Sequence, residues 1–155
     1  MVQNPQRLFF RATTGDLIMT ISHDTLLLTA AACLIISLAL AWIASFILYV
    51  KTAWLKKLIK ANHQLIRAHI DYILMCLLLV VTYYLCQERS ITLPDWCVIT
   101  ACIGALYNPF GFIVLAFKPK MANPETSFEK LRVMLGFLPA TIGFSYPMIL
   151  VINSF

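Results

Sequence analysis

The chain has 155 residues, of which 61% are hydrophobic and only 12% are charged, and its mean hydropathy is +0.82. A water-soluble domain carries about a quarter charged residues, so the composition excludes an ordinary soluble globule and indicates one domain embedded in a lipid bilayer. The net charge is +5. The lysines lie beside long apolar runs, a pattern typical of membrane topology, and nucleic acid is therefore not expected as a partner.

Four apolar stretches follow one another along the chain. A helix of roughly 20 mostly apolar residues crosses the ~30 Å hydrocarbon core of a bilayer. The stretches therefore predict an all-α protein, a four-helix transmembrane bundle, with spans at about residues 25–50, 66–86, 95–117 and 133–152. The first run is too long for a secretory signal, so residues 1–22 are expected to form a polar lead-in at the interface. The predicted capping residues are Asp24 for the first span, Thr92 with Asp95 for the third, and Thr126 with Glu129 for the fourth.

The basic residues between the spans predict the orientation. Nine lie in or beside the first and third connections, and three lie on the opposite side. The nine are Lys51, Lys56, Lys57, Lys60, Arg67, Lys118, Lys120, Lys130 and Arg132, and the three are Arg7, Arg11 and Arg89. Because cytoplasmic loops are enriched in lysine and arginine, the first and third connections are expected in the cytoplasm and both termini outside, in a bacterial inner membrane.

Small residues and prolines in the last two spans predict close helix packing. Gly136, Ala140 and Gly143 have the spacing that lets helix backbones approach each other in lipid. Pro109 removes a backbone donor and leaves the carbonyl of Ala105 without its usual partner. The other residues of this kind are Gly104 and Gly111 in the third span, and Pro139 and Pro147, which should bend the fourth.

Five cysteines occur, and none forms a Cys-x-x-Cys pair, so neither a zinc motif nor a redox motif is indicated. Cys86 and Cys97 flank the second connection, where a disulfide could close the hairpin in an oxidising compartment. The alternative is that both are small apolar residues at helix ends, and this interpretation is favoured.

Ionisable side chains inside a span are costly, and they are therefore functional candidates. His69 lies about one turn inside the predicted start of the second span. A neutral imidazole can ligate a metal or haem iron, and Arg67 could meet an anionic group such as a haem propionate. From position alone, a histidine bonded to a neighbouring helix is the favoured interpretation. Asp71 lies about 200° round the helix and is not expected to be the histidine's partner.

Asn108 is the only amide deep in any predicted span. It must find partners there, either the carbonyl freed by Pro109 or a side chain on another helix. A structural role is favoured over the alternative, the orientation of a buried ligand. His23 is expected to act as a cap at the interface, and His63 to be solvated.

Motifs of soluble enzymes are missing from the sequence. It has no nucleophile elbow, P-loop, glycine-rich dinucleotide fingerprint or His-Glu-x-x-His motif. Hydrolase, kinase and soluble dehydrogenase chemistry are thus unsupported. A transporter of this size without an internal repeat would be unusually small.

Three helices carry a family resemblance. His23 heads the first, Ala68-His69-Ile70-Asp71 opens the second, and Asn108 precedes Gly111-Phe112 in the third. This arrangement resembles the styrene oxide isomerase and hydroxylaminobenzene mutase family of small four-helix membrane proteins. The segment Arg67-Ala68-His69 is similar to the one that contains the haem-ligating histidine of the isomerase branch.

The resemblance implies a homo-oligomer, a trimer, that holds haem b between protomers with His69 on the iron. Ferric iron in that branch is a Lewis acid for an epoxide oxygen, and a redox-neutral rearrangement gives an aldehyde. By the same resemblance Asn108, Tyr107 and Asp71 would line the pocket for a small apolar substrate. Some positions differ: Met75 stands where the family has an asparagine, and Gly104 and Phe112 stand where the isomerase branch has an aspartate and a tyrosine.

Two hypotheses follow. In the first, the protein is a haem-binding membrane protein of the isomerase type, with His69 as the iron ligand and Arg67 beside it. In the second, it is a non-catalytic membrane subunit or scaffold without a cofactor, and the same polar residues only join helices. The colour of the purified protein distinguishes them.

Overall fold

The computed structural model of the protein describes residues 23–122 and 126–155, except the side chains at positions 122, 128, 129, 132, 133, 135 and 136. Its helices are α1 (Asp24–Leu48), α2 (Ala53–Leu58), α3 (Asn62–Glu88), α4 (Asp95–Phe117) and α5 (Ser127–Ile152), with a 3-10 turn at Pro119–Ala122. The described ranges contain no strand, so the all-α prediction is confirmed. The predicted lead-in at residues 1–22 lies outside the described residues.

Three of the helices, α1, α3 and α4, are long and apolar enough to cross a membrane, as an integral membrane protein requires. Helix α5 contains a shorter apolar stretch, Phe137–Ile152. Large apolar side chains such as Trp42 and Ile70 are exposed on the outside of the helices, where lipid would cover them. The interior is also apolar, and its fully buried members include Leu26, Leu65 and Val98.

The observed helices differ from the predicted spans mainly at their polar ends. Helix α4 has the predicted bounds, but α1 ends two residues early, at Leu48. Helices α3 and α5 begin four and six residues before their predicted starts. Hydropathy marks only the apolar part of a helix, whereas backbone hydrogen bonding continues into polar flanks. The short helix α2 was not predicted, because six residues are too few to produce an apolar run.

Two of the predicted caps are wrong. The N-cap of α1 is His23, and Asp24 is already helical. The N-cap of α4 is Pro94, which makes no side-chain capping bond; its ring holds φ at −67° in an extended conformation next to the first helical residue, Asp95. Thr126 does precede α5, as predicted. Its expected partner in the capping box, Glu129, has a side chain outside the described ones.

The consecutive helices α3, α4 and α5 run antiparallel, as two sets of contacts show. At one end, the backbone N–H groups of Lys60 and Ala61 donate to the carbonyl of Ala116 (3.0 and 3.1 Å), which joins the start of α3 to the end of α4. We call this the α2 end. At the other, the Arg89 guanidinium lies 3.7 Å from the Phe155 ring centroid, so the α3–α4 connection meets the C-terminus. We call this the terminal end.

Helices α4 and α5 cross at two reciprocal contacts. A Cβ atom on Gly104 would lie 2.4 Å from the Cα of Ala140, and one on Gly143 would lie 2.4 Å from the backbone nitrogen of Ala101. Each glycine thus faces an alanine backbone on the partner helix, and neither site has room for a methyl group. The predicted role of small residues in close packing is confirmed at these positions. Gly111 differs, because its Cβ would meet nothing within 4 Å.

Pro109 lies inside α4, which continues through it. The carbonyl of Ala105, which loses its helical donor, accepts a weak hydrogen bond from the Cys33 thiol of α1 (3.9 Å). The thiol on α1 therefore partly replaces the backbone N–H donor that Pro109 lacks. Pro139 and Pro147 lie inside α5, which also continues past both of them.

Candidate functional site

His69 of α3 is held against Ser37 of α1. The imidazole Nδ1 lies 2.9 Å from the backbone carbonyl oxygen of Ser37 and 2.7 Å from its Oγ. The Ser37 hydroxyl also lies 3.0 Å from the carbonyl oxygen of His69, to which it can donate. Because α3 begins at Asn62, the histidine lies about two turns inside the helix.

We infer the tautomer of His69 from these distances. A carbonyl oxygen can only accept, so the nitrogen 2.9 Å from it must be the one that bears hydrogen. We therefore assign the ring proton to Nδ1, which donates to the Ser37 carbonyl, and we let the Ser37 hydroxyl donate to the carbonyl of His69. In this arrangement no two acceptors face each other. In the neutral ring the lone pair then lies on Nε2.

No described residue forms a hydrogen bond with Nε2 of His69, and this atom is not among the buried, unpartnered ones. The ring is half-buried, and by helical spacing Ile66 and Ile73 share its face of α3. The arrangement is the one seen in metal-ligating histidines, where one ring nitrogen donates to a carbonyl and the other is free to bind. Chemically, the site offers one accessible imidazole lone pair in apolar surroundings.

Asp71 and Asn108 meet on the other side of α3. The Asn108 amide of α4 donates to Oδ2 of Asp71 at 3.3 Å, and both side chains are half-buried near the middle of their helices. The sequence had left two partners open for Asn108, and the structure chooses the side chain on another helix. It also confirms that Asp71 is not the partner of His69, since the two residues contact different helices.

Replacing Asn108 with leucine is expected to destabilise the protein by about 1–2 kcal/mol, because the Asp71 carboxyl would lose its donor inside the bundle. Unfolding of the purified protein by SDS in mixed micelles measures the change. The matched variants are Asp71→Leu and the double replacement, and the double-mutant cycle should show a coupling energy of about 0.6 kcal/mol or more. Additive losses would contradict the pair.

Tyr107 and Arg67 form no hydrogen bond with the His69–Ser37 pair or with the Asp71–Asn108 pair. Tyr107 is 46% exposed on α4 and makes no hydrogen bond with a described residue. Arg67 is exposed and lies two positions before His69, about 200° round the helix, so the two side chains leave α3 on different faces. Their predicted places in a pocket and beside a haem propionate remain predictions.

The other two histidines lie at the starts of α1 and α3. His23 occupies the N-cap position of α1, but its side chain makes no capping hydrogen bond there, contrary to expectation. Nε2 of His23 accepts the backbone N–H of Leu93 (2.9 Å), which ties the start of α1 to the α3–α4 connection. His63 is exposed. All five cysteines are free thiols, and Cys86 and Cys97 are buried and unbonded to each other, in agreement with the favoured interpretation. Among the described residues no three His, Cys, Asp or Glu side chains form a metal-binding group.

Two residues of the site were missed by sequence reasoning in different ways. Ser37 is a small hydroxyl inside an uncharged span, and nothing in its spacing pointed to His69, which lies 32 residues away. Tyr72 of α3 was not singled out as a site residue; it is buried, and its hydroxyl donates to the carbonyl of Leu106 on α4 (3.0 Å). A search for every hydroxyl-bearing residue within the apolar runs would have found both.

Three comparisons with known proteins were made, and none found a match. The chain matches no family model, no curated protein and no solved structure.

Proposed function

We propose that the protein is an integral membrane protein with four spans, α5 being the fourth. The close crossing of α5 with α4 supports this, because α4 is itself of membrane length. The chain after α5 also ends at the terminal end, beside Arg89, so α5 covers the same distance as its neighbours. The four long helices would then form a transmembrane bundle.

The orientation follows from the charges. The α2 end carries the exposed basic side chains Lys51, Lys56, Lys57, Lys60, Lys118 and Lys120, whereas the only basic residue described at the terminal end is Arg89. We place the α2 end in the cytoplasm and both termini outside, in a bacterial inner membrane, by the excess of lysine and arginine in cytoplasmic loops.

For its activity, we propose that the protein binds haem b through Nε2 of His69, as its resemblance to styrene oxide isomerases implies. The observation that carries this proposal is the bond from Nδ1 to the Ser37 carbonyl, which leaves the Nε2 lone pair accessible. The half-buried ring on the outside of one protomer fits a cofactor held between copies of the chain, in a trimer. Arg67, on the exposed side of α3, is the candidate partner for a propionate.

Bound ferric haem would supply Lewis-acid chemistry for a redox-neutral isomerisation of a small apolar substrate, such as an epoxide. The chain's own part is to hold the imidazole by Ser37, to keep water out with the apolar side chains around it, and to offer polar groups for orientation. Asn108 and Asp71, which are paired on the other side of α3 from His69, and Tyr107 are the candidates for orientation, and in the trimer they would act at the haem of a neighbouring protomer. An apolar substrate would reach them through the lipid.

The test is an absorption spectrum of protein purified in detergent after expression with ample haem. A Soret band in the wild type is the expected result, followed by a screen of aryl epoxides and hydroxylamines for isomerised products. A colourless protein that is folded by circular dichroism and still takes up no added haemin would contradict the proposal.

A second candidate is a non-catalytic membrane subunit or scaffold. One observation favours it: among the described residues, the polar side chains of Asn108, Asp71 and Tyr72 already have internal partners, in the Asn108–Asp71 pair and the Tyr72–Leu106 bond. Such bonds are sufficient to join helices without any ligand. This candidate predicts a colourless protein in which Asn108→Leu lowers stability and His69→Ala changes no spectrum.

A further inference from the structure

Helix α2 is a short amphipathic segment that is fixed at both ends. At its start, the backbone N–H and the hydroxyl of Thr52 lie 3.4 Å from the carbonyl oxygen of Phe46, after a turn in which Lys51 has φ of 57°. At its end, Lys60 and Ala61 donate to Ala116 of α4. The segment therefore keeps its place against the bundle and has a defined outer surface.

This surface is basic, and no acidic residue of its own segments neutralises it. Neither residues 49–70 nor residues 112–122 contain an aspartate or glutamate. The bonds from Lys60 and Ala61 to Ala116 attach the chain just after α2 to the end of α4, so α2 and the segment that follows α4 lie at the same end of the bundle. The exposed basic side chains at this end include Lys56, Lys57, Lys60, Lys118 and Lys120.

Large apolar side chains lie among these lysines. Trp54 is 65% exposed and Leu58 is 50% exposed, and they share one side of α2 because they are four residues apart. Tyr49 and Val50, just before α2, are also exposed and continue from the outer face of α1. A soluble acidic partner would account for the lysines but not for apolar side chains continuous with a lipid-facing surface. The headgroup region of a membrane accounts for both, since tryptophan prefers it and lysines reach its phosphates.

We propose that the α2 surface, formed by Trp54, Lys56, Lys57, Leu58, Lys118 and Lys120, binds anionic phospholipids. The lysines contact the phosphodiester and the anionic headgroup, and Trp54 and Leu58 lie at the boundary between headgroups and acyl chains. This proposal does not depend on haem or catalysis. It assigns to the α2 end a lipid preference that the terminal end lacks.

Fluorescence of single tryptophans tests the preference. The chain has three tryptophans. A variant with Trp42→Phe and Trp96→Phe keeps Trp54 as its single tryptophan. The protein is placed in bilayers of equal parts phosphatidylcholine and phosphatidylglycerol, with brominated acyl chains on one lipid or on the other. Relative quenching reports which lipid occupies the site. We expect about fivefold preferential occupancy by phosphatidylglycerol, the ratio that one lysine's attraction to an anionic surface produces.

The matched control keeps Trp96 as the only tryptophan, with Trp42→Phe and Trp54→Phe. Trp96 is partly exposed near the terminal end and packs 4.9 Å from the Tyr146 ring, so its quenching should show no lipid preference. Replacing Lys56, Lys57, Lys118 and Lys120 by glutamine should remove the preference at Trp54, and replacement by arginine should retain it. Equal quenching of Trp54 by the two lipids, the same preference at Trp96, or an unchanged preference in the glutamine variant would overturn the proposal.

Discussion

The His69→Ala variant is expected to lose the Soret band, with haem content falling at least about tenfold, if His69 is the iron ligand. The reason is that Nε2 of His69 offers an accessible lone pair: Nδ1 is bonded to the Ser37 carbonyl, while Nε2 has no partner among the described residues. Absorption spectra and pyridine haemochrome analysis of equal amounts of purified protein measure the loss. Added imidazole should restore part of the band in the cavity left by the ring.

Two controls separate ligation from general damage. His63→Ala removes a histidine that is exposed at the start of α3, and it should leave the spectrum unchanged. Ser37→Ala keeps the backbone carbonyl that accepts from Nδ1 and removes only the hydroxyl, so most haem should remain bound. If His69→Ala retained the Soret band of the wild type while folded, His69 would not be the ligand.

The Gly143→Ala variant is expected to unfold more easily than the wild type, by about 1–3 kcal/mol, because the added methyl group would overlap backbone atoms. The new Cβ would lie 2.4 Å from the nitrogen and 2.5 Å from the Cα of Ala101. A backbone cannot turn aside as a flexible side chain can, so α4 and α5 must separate. Unfolding by SDS in mixed micelles, or loss of helicity on heating, measures the change.

Gly111→Ala is the matched control for this variant. It makes the same chemical change within a long helix of the same pair, but at a position where the Cβ would meet nothing within 4 Å. Alanine is the better helix former, by up to about 1 kcal/mol, so this variant should be as stable as the wild type or slightly more stable. Opposite signs for the two variants are thus expected. An equal loss in both would show that the α4–α5 crossing does not limit stability.

The packing of α4 on α5 illustrates what could be predicted from sequence. Glycine and alanine residues spaced three or four positions apart let membrane helices approach each other closely, and Ala140 and Gly143 do this at the α4–α5 crossing. Gly136 lies outside the described side chains, and Gly111, although on one face with Gly104 by spacing, contacts nothing. Spacing identifies the small residues, but it does not say which of them faces a partner.

The amino-acid sequence by itself determined that the chain is helical and has membrane-length apolar helices, because hydropathy and helical period are local properties that tertiary contacts do not change. It also determined that Asp71 and His69 face different sides of α3, since an α-helix turns about 100° per residue. Only the tertiary structure decided the partners: Ser37 for His69, Asp71 for Asn108, and the Cys33 thiol for the carbonyl freed by Pro109. These bonds join residues 32 to 72 positions apart. Which side chains meet over such separations depends on how the helices are arranged around one another, and that arrangement minimises the free energy of the whole bundle rather than of any one segment.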